Sequence, residues 1–108
     1  MVGSKNGIDD ADIICSKYTN IKNFVGKLSI NQTSIVIRQS SIMLCCDGGL
    51  LHISNAFSKP VVSLFGAIDP LMRHTSSDVF ECLYDDDSVN NIEPVDIYNS
   101  YLRLKGKI

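Results

Sequence analysis

The stretch from Ile42 to Ala56 constrains the fold of this chain more than any other. Five apolar residues, Ile42 to Cys46, are followed at once by Asp47-Gly48-Gly49, and an apolar-periodic segment begins at Leu50. A short apolar run that ends in a glycine turn before helical periodicity indicates a buried strand, a tight turn and a helix. In an open parallel sheet this junction lies at the carboxyl end of the strand, where ligands bind. The helix start there offers N–H groups and a positive dipole end to an anion.

The rest of the chain alternates strands with helices. Pro94 suits a first helical position, and Ser29 with Gln32 matches a capping box. The predicted helices begin at Asp9 (ending at Thr19), Ile30 (ending at Gln39), Leu50 (ending near Ser58) and Pro94. Met1-Val2-Gly3 is predicted to be the end of a strand. Further strands are predicted at Ile21–Val25, Ile42–Cys46, Val61–Phe65 and Val79–Tyr84. A loop is expected over Gly66–Pro70 and an irregular stretch over Leu71–Ser77. This βαβ rhythm predicts an α/β fold, a Rossmann-like parallel sheet with flanking helices.

Composition limits the class of protein. A chain of 108 residues has room for one domain, and we expect residues 1–108 to form a single, truncated one because the beginning looks cut. The formal net charge is -2 and no two Lys or Arg residues are adjacent, so nucleic-acid binding is not expected. No apolar run approaches the length of a transmembrane segment.

The four cysteines lack the C-x-x-C spacing of a metal or redox site, and we expect buried free thiols in a reducing cytoplasm. Cys45 and Cys46 are adjacent in the apolar run and should form strand core. Asp85-Asp86-Asp87 lacks the glycine and glutamate of a calcium loop, so a solvated acidic loop is expected there. No metal site is predicted, because neither His52 nor His74 has neighbouring ligands in sequence.

Three segments together carry a resemblance to a known family. These segments, Asp47–Ala56, Ser58–Val62 and Leu64–Pro70, resemble the signature of glycosyltransferase family 9, roughly D-[ST]-G-x-x-H-[LI]-A-A-A-x-x-x-P-x-[VI]-x-[LI]-[FY]-G-x-[TS]-D-P. Val25–Ser29 resembles the family's short strand and turn before a helix. The family contains the ADP-heptose:lipopolysaccharide heptosyltransferases. The resemblance implies a partial C-terminal domain of a GT-B fold, in which that domain holds the nucleotide sugar without an obligatory metal.

The resemblance also implies roles for individual residues. Asp47 would contact the donor sugar, Gly48 and Gly49 would present N–H groups to the phosphates, and His52 would lie beside them. Leu28 would flank the adenine, and Asp9 or Asp10 would reach the ribose. The full set of predicted binding residues is Asp47, Gly48, Gly49, Leu50, His52, Leu28, Asp9 and Asp10. No cofactor is expected, since ADP-heptose or a similar nucleotide sugar would be the donor substrate.

Departures from the family pattern keep two functions open. Gly48 stands where Ser or Thr is usual, Ile68 where Thr or Ser is usual, and Ser54-Asn55 where two alanines are usual. No residue matches the family's catalytic base, and the N-terminal domain and a phosphate-binding Lys have no counterpart. The chain is therefore expected to be the donor-binding part of an inverting glycosyltransferase of lipopolysaccharide core synthesis, cytoplasmic or peripheral to the inner membrane. The alternative is a non-catalytic remnant or binding module, and an unrelated domain of response-regulator type is a weaker possibility.

The missing strands suggest two ways of completing the sheet. In the Rossmann order the first strand is central, so its absence would leave a gap. We expect either that Ile21–Val25 moves beside Ile42–Cys46, or that two copies pair their edges as a dimer. A separate N-terminal domain is the other expected partner.

Overall fold

The computed structural model describes residues 1–66 and 80–108, which fall into two compact units, Met1–Val36 and Ile37–Ile108. The expectation of a single domain stays a prediction. The helices are α1 (Ile8–Lys17), α2 (Ile30–Gln39), α3 (Gly49–Ala56) and α4 (Pro94–Gly106), with short 3-10 turns at Lys5–Gly7 and Val89–Asn91. The strands are β1 (Met43–Cys46), β2 (Val61–Gly66) and β3 (Phe80–Asp85). The predicted helices and these three strands are confirmed to within one or two residues.

The first unit contains α1, whose first turn carries Asp9 and Asp10, where carboxylates favour the positive end of the helix dipole. Along one face of the helix and its C-cap, Ala11 is buried, whereas Ile14 and Tyr18 are exposed. The helix was predicted correctly, but its apolar face is only partly covered within the described structure.

The segment Ile21–Val25 is not a strand, so that prediction is wrong. It is extended, and its backbone bonds to the first residues of the chain: the Phe24 N–H donates to the Met1 carbonyl and the Gly26 N–H to the Gly3 carbonyl, both at 2.9 Å. The Met1 amino group donates to the Lys22 carbonyl at 2.7 Å. This pairing runs parallel, but Met1–Gly3 is not assigned as a strand either, because so short a contact does not build a ladder.

The predicted capping box at the start of α2 is confirmed. The Ser29 N–H donates to the Gln32 side-chain oxygen at 2.9 Å, and the Gln32 N–H donates to the Ser29 hydroxyl at 3.2 Å. These reciprocal bonds satisfy two backbone donors that a helix start otherwise leaves without partners. They explain why α2 begins at Ile30 although its Ile-Val-Ile run favours a strand by propensity.

The second unit contains a parallel sheet in the order β1-β2-β3. Met43 pairs with Val61 and Val61 with Phe80, which sets the register across the three strands. Helix α3 contacts β1 on one face, where Leu51, Val61 and Phe65 form a core cluster with Met43 and Cys45 against it. Helix α4 contacts β2 and β3. This is the α/β, Rossmann-like arrangement predicted from the sequence.

The described sheet consists of β1, β2 and β3, so the expectation that Ile21–Val25 pairs with Ile42–Cys46 as a strand is wrong. β1 is instead an edge strand of this sheet, with Leu44 57% exposed. The expected burial of the thiols is also wrong for Cys46 and Cys82, which are exposed, while Cys15 and Cys45 are half-buried. Both cysteines lie on edge strands, and a strand at an edge is covered less completely than a central one.

The loop predicted beyond Gly66 and the irregular stretch over Leu71–Ser77, with Ile68 and His74, lie outside the described residues. In the two described ranges, no helix combines the length and the apolar character needed to cross a membrane.

Candidate functional site

The turn between β1 and α3 brings five of the predicted binding residues together. The Asp47 N–H donates to the Leu64 carbonyl of β2 at 3.0 Å, which fixes the turn to the sheet. Gly48 is the N-cap of α3, and no side chain caps the helix there. The N-cap residue of α3 therefore adds no side chain of its own between a ligand and the positive dipole end of the helix.

The two glycines keep the space beside this helix start open. Apart from the adjoining residues and the backbone of α3 itself, a Cβ placed on Gly48 or on Gly49 would meet no atom of the described residues within 4 Å. Gly48 has φ +156°, which L side chains rarely adopt. The family's usual Ser or Thr would be strained in this conformation, so the sequence departure at Gly48 agrees with the local backbone.

The other predicted residues of the turn differ in exposure. Asp47 and Leu50 are half-buried, whereas His52 is exposed on the first turn of α3. All of them lie within six consecutive residues, and the His52 backbone N–H donates to the Gly48 carbonyl at 3.3 Å in the first turn of the helix. An imidazole N–H can donate a hydrogen bond to a phosphate oxygen, and the protonated ring does so more strongly.

By contrast, the carboxyl ends of β2 and β3 are in contact with the loop residues that follow β3. β2 ends at Gly66, where an added Cβ would overlap the Val89 nitrogen and lie 2.9 Å from the Ser88 carbonyl carbon. β3 ends at Asp85, whose Oδ1 accepts hydrogen bonds from the N–H groups of Asp87 and Ser88 at 3.0 and 3.1 Å. These bonds, with one from the Asn91 amide, hold the pKa of Asp85 below its usual value. Among the described strand ends, that of β1 is therefore the one that leaves room for a ligand.

Three further predicted residues lie in the first unit. Asp9 and Asp10 are exposed in α1, and Leu28 is half-buried in the turn before α2. Their participation in one site with the turn after β1 stays a prediction. Within residues 1–66 and 80–108, no group of three or more His, Cys, Asp or Glu side chains has an arrangement that could hold a metal ion.

Sequence reasoning missed an apolar groove of about 300 Å³ in the second unit. Its lining comes from the start of β1, from β2 and from α4, and consists of Ile42, Leu44, Val62, Pro94, Ile97, Tyr98 and Tyr101. The signal was present in α4, where apolar residues occupy more positions than one buried face requires. The side chains of Val95, Tyr98 and Leu102 are 61%, 59% and 45% exposed.

Comparison with known proteins supports the architecture and the turn sequence together. The sequence profile of glycosyltransferase family 9 (heptosyltransferase) matches residues 8–91, which is most of the chain. The structure of E. coli ADP-heptose lps heptosyltransferase II is similar in fold, with a TM-score of 0.82 and 20% sequence identity. The match covers 98% of this chain but 35% of the E. coli chain, so the protein spans about a third of that length. No curated protein matches. Because the family profile extends over most of the sequence, this chain belongs to glycosyltransferase family 9, the heptosyltransferases.

Proposed function

We propose that this chain is the nucleotide-sugar-binding part of a glycosyltransferase. The turn Asp47-Gly48-Gly49 and the start of α3 would hold the diphosphate of an ADP-sugar such as ADP-heptose. The observation that carries this proposal is the helix start at the carboxyl end of β1, which has a glycine as its N-cap and a second glycine as its first residue. The name of the E. coli structure supports ADP-heptose as the donor to test first.

Each residue of the turn has a chemical role in this proposal. Phosphate oxygens accept hydrogen bonds from backbone N–H groups at the helix start, and Gly49 has no side chain to keep them at a distance. The exposed His52 donates a further hydrogen bond. The Asp47 carboxylate is an acceptor only, so it suits the hydroxyl groups of the sugar rather than the phosphates. Leu50 follows Gly49 in the same turn and adds a backbone N–H. Leu28 would contact the adenine, and Asp9 or Asp10 the ribose.

Donor binding alone does not transfer a sugar. An inverting transfer needs a base to remove the proton from the acceptor hydroxyl, and we assign that role to no residue of this chain. We propose that the acceptor and the base come from a further domain, because the chain spans about a third of the E. coli protein.

Calorimetric titration with ADP and with ADP-heptose tests this proposal. The critical variant is Gly49→Val, whose side chain would enter open space and obstruct the phosphates without displacing protein atoms. Gly106→Val is the matched control, since a Cβ there also meets nothing within 4 Å but lies at the end of α4. We expect saturable binding by the wild type and by the control, and at least a tenfold higher Kd for Gly49→Val.

The opposite results are equally informative. Absence of binding at millimolar nucleotide sugar would contradict the proposal and favour a non-catalytic family member. If Gly49→Val and Gly106→Val weakened nucleotide binding equally, the cause would be a loss of protein stability rather than a blocked turn.

A further inference from the structure

The turn after β1 begins with an Asp-Gly pair, Asp47-Gly48, whose side chain and main chain can react with each other. A bond between Asp47 Cγ and the Gly48 nitrogen closes a five-membered imide ring, which is free of strain. A Cβ on the second residue of such a pair hinders the attack of its nitrogen, and Gly48 has none. Gly48 stands where the family usually has Ser or Thr, so the reactive pair comes from that departure.

The local structure leaves the Gly48 nitrogen accessible. Within residues 1–66 and 80–108, the Gly48 N–H donates no hydrogen bond. Apart from the two adjoining residues, no described atom lies within 4 Å of the position that a Gly48 Cβ would occupy. Ring closure at this nitrogen therefore breaks no hydrogen bond of the Gly48 N–H and meets no packed atom of the described structure.

A second pair in the same chain, Asn6-Gly7, can close the same ring with loss of ammonia, but its nitrogen is engaged. The Gly7 N–H donates to the Ser4 carbonyl at 3.1 Å in the first 3-10 turn. The turn must open before this nitrogen can reach the Asn6 side chain, and such local opening costs free energy. Folding should therefore slow the reaction of the Asn-Gly pair much more than that of the Asp-Gly pair.

We propose that Asp47-Gly48 is a site of spontaneous isoaspartate formation in the folded protein. The Gly48 nitrogen bonds to Asp47 Cγ and gives up its proton, the protonated carboxyl group gives up its hydroxyl, and one water leaves. Addition of one water then opens the imide. Cleavage of the Cγ–N bond restores aspartate, whereas cleavage between the nitrogen and the Asp47 carbonyl carbon leaves the main chain running through Cβ and Cγ. No oxidant or reductant takes part.

Isoaspartate lengthens the main chain of the turn by one methylene group between two hydrogen bonds. Before it, the Asp47 N–H donates to the Leu64 carbonyl at 3.0 Å, and after it the Gly48 carbonyl accepts from the His52 N–H at 3.3 Å. The added atom must move the start of α3 relative to the sheet or break one of these bonds. A phosphate bound to the N–H groups of the turn would hold its original form and slow ring closure. This protection rests on the proposed function, whereas the isomerisation does not.

Ageing of the purified chain at pH 6, folded or unfolded in guanidinium chloride, tests the proposal. Peptide mass spectrometry with electron-transfer fragmentation locates isoaspartate at each pair. We expect the Asp47 reaction in the folded chain to be within fivefold of its rate in the unfolded chain, and the Asn6 reaction to be slowed at least tenfold by folding. Asp47→Glu is the control, because a Glu would need a six-membered ring that closes far more slowly, so the signal at this position should disappear.

The outcomes separate this inference from nucleotide binding. Folding that slows the Asp47 reaction tenfold or more, or as strongly as the Asn6 reaction, would overturn the proposal. Saturating ADP should slow the Asp47 reaction at least fivefold and leave the Asn6 reaction unchanged. If ADP bound in calorimetry without slowing the Asp47 reaction, the protection by phosphate would be refuted. If ADP did not bind, the proposed function would fail, while the isomerisation would be decided by the rates measured without nucleotide.

Discussion

β1 and β2 are adjacent, parallel and similarly apolar in sequence, yet their environments differ. In β2 the side chains of Val61, Val62, Ser63 and Phe65 are all buried, whereas β1 alternates between half-buried and exposed residues. The core cluster lies on the α3 face of both strands, whereas on the other face α4 contacts β2 and leaves Leu44 of β1 57% exposed. An apolar run in the sequence therefore identifies a strand, whereas the position of that strand in the sheet determines how many of its side chains are buried.

The largest expected difference between the two strands is in core truncation. Phe65→Ala in β2 should lower the free energy of unfolding by about 3–5 kcal/mol, because Phe65 is 1% exposed and its removal leaves a cavity. Leu44→Ala in β1 should change it by less than about 0.5 kcal/mol, because Leu44 is mostly in solvent. Urea unfolding followed by circular dichroism measures both values. Equal losses of unfolding free energy would show that Leu44 is as well covered in solution as Phe65, which would contradict the difference between the two strands.

The two faces of β1 can be separated by thiol chemistry. Burial, with a smaller contribution from the neighbouring Cys46 thiol, raises the pKa of Cys45 to about 11. At pH 8 on the order of one Cys45 thiol in a thousand is therefore thiolate, which is the reactive form. We expect iodoacetamide to modify the exposed Cys46 at least ~100 times faster than Cys45. Peptide mass spectrometry with fragmentation resolves the two adjacent sites, and similar rates would contradict the assignment of faces.

The carboxyl ends of the two strands should also respond differently to an added methyl group. Gly66→Ala should destabilise the protein by about 1–3 kcal/mol, because the new Cβ would overlap the backbone at Val89. Gly49→Ala is the matched change at the open end of β1, where the Cβ meets nothing, and it should cost less than about 0.5 kcal/mol. Thermal unfolding of the two variants compares them directly. A large loss for Gly49→Ala would mean that the turn is packed and has no room for a phosphate.

The sequence predicted the helices, three strands and the β1–α3 turn because those elements carry local signals. The capping box at Ser29, the glycines after β1 and Pro94 at the start of α4 each act within a few residues of the chain. The sequence did not predict which faces are covered, because coverage depends on neighbours that are distant in the chain. The predictions for Ile21–Val25 and Cys46 were wrong for this reason.

In the candidate site, too, the local features were predicted and the contacts between distant segments were not. The strand, turn and helix that carry Asp47 to His52 were predicted from one contiguous stretch, and the binding role of these residues stays a prediction. The closure of the β2 and β3 ends by Ser88, Val89 and Asp85 was not foreseen, because it needs contacts between separate loops. The groove beside Leu44 was missed since β1 and α4 are about fifty residues apart in the sequence.

The smallest expected effect on stability comes from Glu81, on the face of the sheet that α4 contacts. Glu81 accepts hydrogen bonds from Arg103 at 2.7 Å and from Lys107 at 3.2 Å, and the Arg103 bond is the main reason why its pKa lies below the usual value. A carboxyl group whose pKa is lowered in the folded state stabilises the protein at pH values above its unfolded pKa. This contribution is lost as the pH falls through the folded pKa.

Glu81→Gln should therefore lower the free energy of unfolding by about 1 kcal/mol or less at pH 7, since both cations are more than half exposed. The difference from the wild type should vanish near pH 3. Urea unfolding at several pH values measures this, with Glu93→Gln as the control, because the Glu93 side chain does not cap α4. A difference that persists at pH 3 would mean that Glu81 stabilises the sheet by packing rather than by its charge.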